Sequence, residues 1–267
     1  MHPALETLHA LRSTHGAFDE QQVRPEDLQA VLEASVRAAT ASARQAYSII
    51  VIEDRDRMER LVGHRASRAL VYCVDSHRLD LLAARRGKAH DAAEINELVN
   101  GIVEVSLAAQ NAVVAARALG IDSLVTNGLH RKPFDLVFRE LSLPERSVFP
   151  VITVLLGYAA DRSPARRRGR LPLEHVVHRD RYREPSPEEL DRIAAAYDDR
   201  DAAIGLVELW DAKAYPHYLD WYFERWVEKP PEERVEQGWR KDYQDRIRKS
   251  GFWWPSGPEA FAGRAKP

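Results

Sequence analysis

Four arginines stand within five positions of the stretch ARRRGRLPLE, residues 165–174. They are Arg166, Arg167, Arg168 and Arg170. So many guanidinium groups suit a phosphate or another anion, because an arginine can donate two hydrogen bonds at once to such a group. Three interpretations compete. The cluster binds nucleic acid, or it holds the phosphate of a small-molecule cofactor, or it is a solvated loop without a ligand, as exposed charge runs usually are.

Composition argues against a general nucleic-acid binder. The 267 residues carry a formal net charge of −2 and are 45% hydrophobic, whereas nucleic-acid-binding domains tend to be strongly basic. The single cysteine, Cys73, excludes an internal disulfide framework and fits a reducing compartment. The N-terminus does not have the pattern of a signal peptide, and we expect no apolar run that approaches the roughly 20 residues of a membrane helix. We therefore expect a cytoplasmic protein without a membrane partner.

The common catalytic signatures are missing from the sequence. It contains no Walker loop, dinucleotide-type glycine fingerprint, HExxH motif or nucleophile elbow. His175 and His178 are better read as surface residues than as a metal site, because no acidic or cysteine partner stands at ligand spacing. An enzyme of this kind needs a cofactor to carry its reaction. We accordingly predict no catalytic side chain and no metal.

Apolar segments that alternate with helical patterns predict a layered fold of helices and sheet. A helix begins at Pro25, and one of its faces carries Leu28, Val31, Leu32 and Val36. Four segments read as strands: residues 47–54, 69–75, 122–128 and 148–158.

The longest predicted helix runs from about Ala93 to Leu119 and is apolar nearly all round in its second half. Such a helix is buried on several sides. It therefore belongs either at the centre of the core or at the centre of a subunit interface.

The composition changes beyond about Arg183. Ser186, Pro187 and Glu189 form the capping-box start of a further helix. Aromatic residues at 218, 221, 222 and 226 follow helical spacing, which favours a packing face over an aromatic lid above a ligand. All the tryptophans of the chain lie in this tract: Trp210, Trp221, Trp226, Trp239, Trp253 and Trp254.

The order of several motifs resembles the nitroreductase family of FMN-dependent oxidoreductases. These motifs are RSTHGAF, LQAVLEASVRAA, TASARQAYSIIVIED, AAQNAVVAARALGI, DSLVTNG and PVITVLLGYAADRSPARRRGRLPLEHVV, and together they cover roughly residues 5 to 180. The resemblance implies an α+β, three-layer fold with a central, mainly antiparallel sheet flanked by helices. It also implies an obligate homodimer with the flavin at the subunit interface. Residues 1–182 would form the FMN-binding domain, and residues 183–267 a helical C-terminal extension packed on the core or on the partner subunit.

The same resemblance assigns the cofactor-binding residues. The flavin phosphate falls to Arg12, Ser13, Thr14 and His15, with a second phosphate clamp at Arg168 and Arg170. The segment along the flavin ring and ribityl chain contains Ala39, Thr40, Ala41, Ser42 and Gln45. The turn Asn127-Gly128 would offer backbone groups to the ring, with a small residue permitting close approach.

The chain departs from the family pattern at several of these positions. Leu11 stands where an arginine is usual, His15 where an arginine or lysine is common, and Asn127 where a glycine is usual. The common Asn-x-Gln-Pro-Trp is Ala43-Arg44-Gln45-Ala46-Tyr47 here. Without the resemblance, Ser13 and Thr14 are equally typical of a helix cap, and residues 40–42 of a turn.

The implied activity is hydride transfer from NADH or NADPH through flavin N5 to a small acceptor, by a ping-pong mechanism. Nitroaromatics, quinones and enones are the implied acceptors. The alternatives are a flavin reductase or reductive dehalogenase on the same scaffold, or a flavin-binding sensor or carrier without turnover. A nucleic-acid binder that works through the arginine loop is the least favoured, so we expect no nucleic-acid partner.

Overall fold

A computed structural model describes residues 1–90, 95–161, 168–206, 210, 214–227 and 239–252, without the side chains of 225–227 and 239–242. The chain divides into two compact units. The first contains Met1–Arg162 and Gly238–Pro267, and the second contains Ser163–Gln237. The predicted boundary of the FMN-binding domain at residue 182 stays a prediction, because compact units do not define how far the family's domain extends.

The first unit is built around a four-stranded antiparallel sheet. Its strands are β1 (Tyr47–Ile52), β2 (Arg68–Asp75), β3 (Asp122–Thr126) and β4 (Val148–Gly157), in the spatial order β1-β2-β4-β3. All three pairings are antiparallel. Each of the four predicted strands is therefore confirmed. The strand β1 was expected to be buried, but it lies at the edge of the sheet and most of its residues are half-buried.

Helices cover both faces of this sheet. The described helices of the first unit are α1 (Pro3–His9), α2 (Pro25–Ser35), α3 (Arg55–Val62), α4 (His77–Arg85), α5 (Ile95–Ala118), α6 (Phe134–Leu141) and, near the C-terminus, α9 (Trp239–Lys249). Side chains of a strand alternate between its faces, so Leu70, Tyr72 and Val74 join the core beneath α2 and α5. Val71 and Cys73 join the core beneath α3 and α6. The predicted three-layer α+β fold is confirmed.

The helix α5 is the central helix of the first unit. It spans 24 residues, and by length and hydropathy it could cross a membrane, contrary to the expectation that no such segment exists. Its buried residues nevertheless pack on the sheet and on α2, as in the core helix of a globular domain. The opposite side carries a row of exposed apolar residues at every fourth position: Ile95, Val99, Val103 and Leu107. The buried residues of the second half place that part of the helix in the core, whereas the role of the exposed row in a subunit interface stays a prediction.

Two local expectations need correction. Val36 was assigned to the apolar face of α2, but the helix ends at Ser35 and Val36 is 49% exposed. Pro150 lies in β4, a central strand, where proline is normally excluded. The register of β2 against β4 shifts between Tyr72 and Cys73, and this bulge accommodates the proline.

The second unit contains α7 (Pro187–Asp198) and the one-turn helix α8 (Tyr218–Trp221), which continues as a π-helix over Tyr222–Val227. The predicted capping box is present, because Ser186 and Glu189 each accept a hydrogen bond from the other's backbone. Trp210, Tyr218 and Trp221 are buried together with Ala203. The predicted packing face is therefore confirmed for Tyr218 and Trp221. The side chains of Trp226 and Trp239, and all of Trp253 and Trp254, lie outside the described residues.

Candidate functional site

The segment between α2 and β1 is held by a buried carboxylate from α5. Glu104 is only 2% exposed, and its two oxygens accept hydrogen bonds from the backbone N–H groups of Ala41 (2.8 Å) and Ala46 (2.9 Å). Such charge-assisted hydrogen bonds are stronger than those between neutral groups. A single side chain therefore fixes both ends of residues 41–46, whose other members are mostly exposed.

The backbone of this segment is strained. Ser42, Ala43 and Gln45 have φ angles of 52°, 56° and 51°, and this left-handed region costs residues other than glycine on the order of 1–3 kcal/mol each. Two further contacts hold the segment in addition to the hydrogen bonds of Glu104. Arg44 binds Glu97 at 2.7 Å, and Arg78 donates to the carbonyl oxygen of Tyr47 at 3.2 Å. Strain that the surroundings enforce is concentrated at functional sites in proteins.

A cleft of about 500 Å³ adjoins the strained segment within the first unit. Arg44, Gln45 and Arg78 line it beside apolar side chains from α2, β1 and α4. Its volume is that of a small-molecule site. Of the predicted flavin-facing residues, Ala39, Ala41, Ser42 and Gln45 are exposed and Thr40 is half-buried.

The predicted phosphate residues lie in an extended segment beside the start of β3. Arg12 donates to the Oδ1 atom of Asp122 at 2.9 Å, and the backbone N–H of Thr14 donates to the carbonyl oxygen of Ser123 at 2.9 Å. Arg12 Nε and Thr14 Oγ1 are buried without a hydrogen-bond partner among the described residues. Ser13 is exposed, and no helix follows until Pro25, so the alternative of a helix cap is wrong.

Two basic residues that the sequence did not suggest lie where α3 meets the residues after β3. His64 follows the end of α3, whose last residue, Val62, lies against Gly128 at the start of the 3-10 helix that contains Arg131. Burial lowers the pKa of His64, and the charges of Arg131 and His15 lower it further. Nothing in the spacing of His64 and Arg131 along the chain signals this arrangement, because the contact between α3 and the 3-10 helix forms only on folding.

The turn Asn127-Gly128 opens a short 3-10 helix over Gly128–Arg131. A Cβ atom on Gly128 would lie 2.4 Å from the carbonyl oxygen of Val62. The C-terminal end of α3 therefore requires glycine here, and the close approach of a ligand to this turn stays a prediction. Asn127 is exposed, and the N–H of Gly128 is bound by Thr126 Oγ1 at 3.1 Å.

The predicted second phosphate clamp lies in the second unit. Arg168 Nη1 donates to the carbonyl oxygen of Gly205 at 3.0 Å, while Arg170 Nη1 donates to the carbonyl oxygen of Gly169 at 2.8 Å. Gly169 leaves no room for a side chain, because its Cβ would lie 2.4 Å from the carbonyl oxygen of Ala202. Arg166 and Arg167 lie outside the described residues. That Arg168 and Arg170 share one phosphate with Arg12 stays a prediction.

Known proteins identify the family. The model of the nitroreductase family matches residues 10–158. The chain belongs to the nitroreductase family. The oxygen-insensitive NADPH nitroreductase of Salmonella typhimurium is 32% identical over 216 residues, covering 77% of this chain and 84% of that protein. The FMN reductase (NADPH) of Bacillus subtilis is 28% identical over 197 residues, covering 68% and 75%. The solved NfrA1 nitroreductase of B. subtilis shares the fold, with a TM-score of 0.76, 24% identity, and coverage of 93% of this chain and 98% of that one.

Membership of the nitroreductase family confirms the predicted resemblance and makes the chain an oxidoreductase. The residues that the family pattern had pointed to fall into two groups in the first unit. One group is the strained segment with its cleft, and the other is the segment at Arg12 beside the start of β3, the strand that leads to the turn Asn127-Gly128. Glu104, which supports the first group, was read from the sequence only as part of a helix. A lone acidic residue in a run of small apolar residues is the signal that could have revealed it.

Proposed function

We propose that the chain is an FMN-dependent NAD(P)H oxidoreductase that reduces small aromatic or conjugated acceptors, such as nitroaromatics, quinones or enones. The observation that carries this proposal is the strained, carboxylate-clamped segment 41–46 in a chain of the nitroreductase family. A structure keeps such a backbone where exposed groups must be held in one arrangement. The NADPH-dependent nitroreductase and FMN reductase among the relatives support the choice of cofactor and electron donor.

The residues of the first unit fit an FMN phosphate. A phosphate monoester carries close to two negative charges and accepts several hydrogen bonds. Arg12 Nε and Thr14 Oγ1 are donors that are already buried and have no described partner. Such groups cost free energy unless a ligand or water binds them. Asp122 holds the guanidinium of Arg12 in place from the other side.

The bound flavin would supply the redox chemistry, taking electrons from the nicotinamide and passing them to the acceptor. The chain would bind, orient and shield it. Arg12, Thr14 and His15 would bind the phosphate, and the backbone of residues 40–46 would lie along the ring system. The turn at Asn127 would support the ring, and no side chain of the chain is assigned as an acid or a base.

The proposal is tested with the purified full-length protein. We expect it to be yellow, or to become yellow and quench flavin fluorescence when FMN is added. Anaerobic NADH or NADPH should then bleach the flavin absorbance, and a nitroaromatic or quinone should restore it. A protein that binds FMN but is not bleached by either donor would be a flavin carrier. A protein that binds no FMN would refute the oxidoreductase proposal.

The arginine stretch makes a separate prediction. Replacing both Arg168 and Arg170 by alanine is expected to weaken FMN binding about tenfold, the effect of losing one charged hydrogen bond. Arg166→Ala should matter less and serves as the matched control. Fluorescence titration with FMN measures the FMN affinity of the wild-type protein, of the double variant and of Arg166→Ala. Equal losses in the double variant and in Arg166→Ala would contradict the assignment of the clamp.

We further propose that the protein is a homodimer that uses the exposed apolar row on α5. A row of apolar side chains on the surface of a protein commonly marks an interface with another molecule. Val99 and Val103 are each 53% exposed. Two copies could bury the same row against each other about a two-fold axis, as most homodimers do. The predicted position of the flavin at a subunit interface agrees with the location of Glu104 on the same helix.

A charge within this row should disrupt the dimer. We expect Val103→Asp to raise the dimer dissociation constant by roughly 100-fold or more, because a carboxylate in an apolar interface loses its hydration. Light scattering coupled to size-exclusion chromatography measures the mass. The control is Leu190→Asp, which replaces an equally exposed apolar residue of α7. An unchanged dimer in Val103→Asp would show that the α5 row is not the interface.

A further inference from the structure

The C-terminal helix α9 returns to the core of the first unit. The backbone N–H of Ser147 donates to the carbonyl oxygen of Ser250 at 2.9 Å. Phe252 is fully buried in the same hydrophobic cluster as Phe134 and Phe149. Residues 243–252 are therefore part of the core of their own chain, although they follow the second unit in sequence.

A buried arginine anchors α9. Arg246 is 2% exposed, and its guanidinium carbon lies 3.4 Å from the ring centroid of Phe138 on α6. Its Nη2 atom donates to both the carbonyl oxygen and the carboxylate of Glu145, at 2.9 and 2.8 Å. A buried arginine without such partners would be costly. These contacts hold α9 in one position against α6.

One turn earlier in α9, Tyr243 contacts His130. The two rings meet edge to face with centroids 5.1 Å apart, and Tyr243 also touches Phe134 and Phe149. His130 Nε2 lies 2.9 Å from the carbonyl oxygen of Pro150. Burial lowers the pKa of His130, so at neutral pH its imidazole is neutral and can donate to this carbonyl through Nε2–H. His130 is thereby fixed by α9 on one side and by β4 on the other.

His130 lies in the 3-10 helix that follows the turn Asn127-Gly128, which the family resemblance assigns to the flavin. Its backbone N–H donates to the carbonyl oxygen of Asn127 at 2.9 Å. The turn also contacts the last residue of α3, because Gly128 lies against the carbonyl oxygen of Val62. A shift of His130 would therefore move Asn127.

We infer that Tyr243 is a positioning residue for the flavin-binding turn, and that it acts through His130 on Asn127 and Gly128. The C-terminal helix thus contributes to the cofactor site of its own chain without touching the cofactor. The inference that Tyr243 orders the turn rests on the contacts above, whereas its effect on FMN rests also on the proposed function. Truncating the tyrosine would leave a cavity beside His130 and would free the turn on that side.

The test compares full-length variants. Tyr243→Ala is expected to raise the FMN dissociation constant about tenfold, to change the visible circular dichroism of the bound flavin, and to speed hydrogen exchange at residues 127–131. Tyr243→Phe keeps the ring and should restore all three properties. Tyr243→Leu keeps apolar volume and replaces the alanine variant if that variant does not fold. Leu70→Ala is the control, because it destabilises the same core cluster away from the turn.

The readouts separate the two proposals. If Tyr243→Ala and Leu70→Ala lower the melting temperature but neither changes exchange at residues 127–131, Tyr243 is merely structural and the inference is overturned. If exchange and flavin dichroism change only in the Tyr243 variant, the inference stands. If the wild-type protein binds no FMN, the proposed function fails. Exchange at residues 127–131 in the flavin-free protein then still decides whether Tyr243 orders the turn.

Discussion

Replacing Glu104 by alanine is expected to weaken FMN binding at least tenfold and to lower the free energy of unfolding by about 2–4 kcal/mol. The change removes the acceptor of two backbone N–H groups, those of Ala41 and Ala46. The buried N–H of Ala46 costs about 1–3 kcal/mol when it is left unpaired, and the partly buried N–H of Ala41 loses a hydrogen bond to a charged group. It also releases a segment with three left-handed residues. Relaxation of these residues would recover part of the lost stability but would destroy the arrangement that faces the flavin.

Two variants make the Glu104 experiment specific. Glu104→Gln keeps one acceptor oxygen and places an amide N–H₂ group against the second donor, so an intermediate loss is expected. Asp54→Ala removes a carboxylate that accepts from the backbone of Arg57 at the start of α3, which should cost about 1 kcal/mol without changing the affinity for FMN. Denaturant unfolding and flavin fluorescence titration measure the two quantities. Wild-type FMN affinity in folded Glu104→Ala would refute a positioning role.

Replacing Arg12 by alanine is expected to weaken FMN binding by about 10- to 100-fold, because a hydrogen bond to a charged group contributes about 1.5–3 kcal/mol. The loss should appear for FMN and not for riboflavin, which lacks the phosphate. Comparison of the two ligands in each protein therefore isolates the phosphate contact from any general disturbance of the site. Fluorescence titration with both ligands gives the two affinities.

The Arg12→Ala variant also changes the surroundings of Asp122, because Asp122 loses its guanidinium partner. Without the guanidinium, its carboxylate would repel a nearby phosphate, although its Oδ2 atom still binds the N–H of Ala159 at 3.0 Å. The double variant Arg12→Ala/Asp122→Asn removes this repulsion and should recover part of the affinity for FMN. Arg24→Ala, which removes an exposed arginine paired with Asp27 on α2, is the control with no expected effect on FMN binding. Equal losses for FMN and riboflavin in Arg12→Ala would show that Arg12 does not bind the phosphate.

Short sequence patterns were sufficient to predict the helices and strands of the fold. The strands at 47–52 and 68–75 follow from short runs of β-branched and apolar residues, and the helix from Pro25 follows from its capping residues and periodicity. The capping box at Ser186 was likewise readable from two residues. These features depend on neighbours within a few positions, which is the range over which a sequence pattern carries physical information.

The arrangement of the site could not be obtained in this way. The contacts from Glu104 to Ala41, from Arg12 to Asp122 and from Tyr243 to His130 each join residues more than 60 positions apart. Periodicity predicts the face of a helix that is buried, but not which loop a buried carboxylate will meet. The first half of α5 shows the same limit, because its apolar residues fitted either the core or a subunit interface, and only the structure places this row at the surface of the chain.

For this protein, the amino-acid sequence was enough to indicate the family and the order of the strands and helices along the chain. The residues that the family pattern assigns to the phosphate and to the flavin stay predictions. Only the folded chain shows that Glu104 binds both ends of the strained segment, that Arg12 pairs with Asp122, and that Tyr243 of the C-terminal helix packs on His130. The physical reason is that hydrogen bonding, packing and charge act through space. A residue's role in a site is therefore set by neighbours that the folded chain brings together.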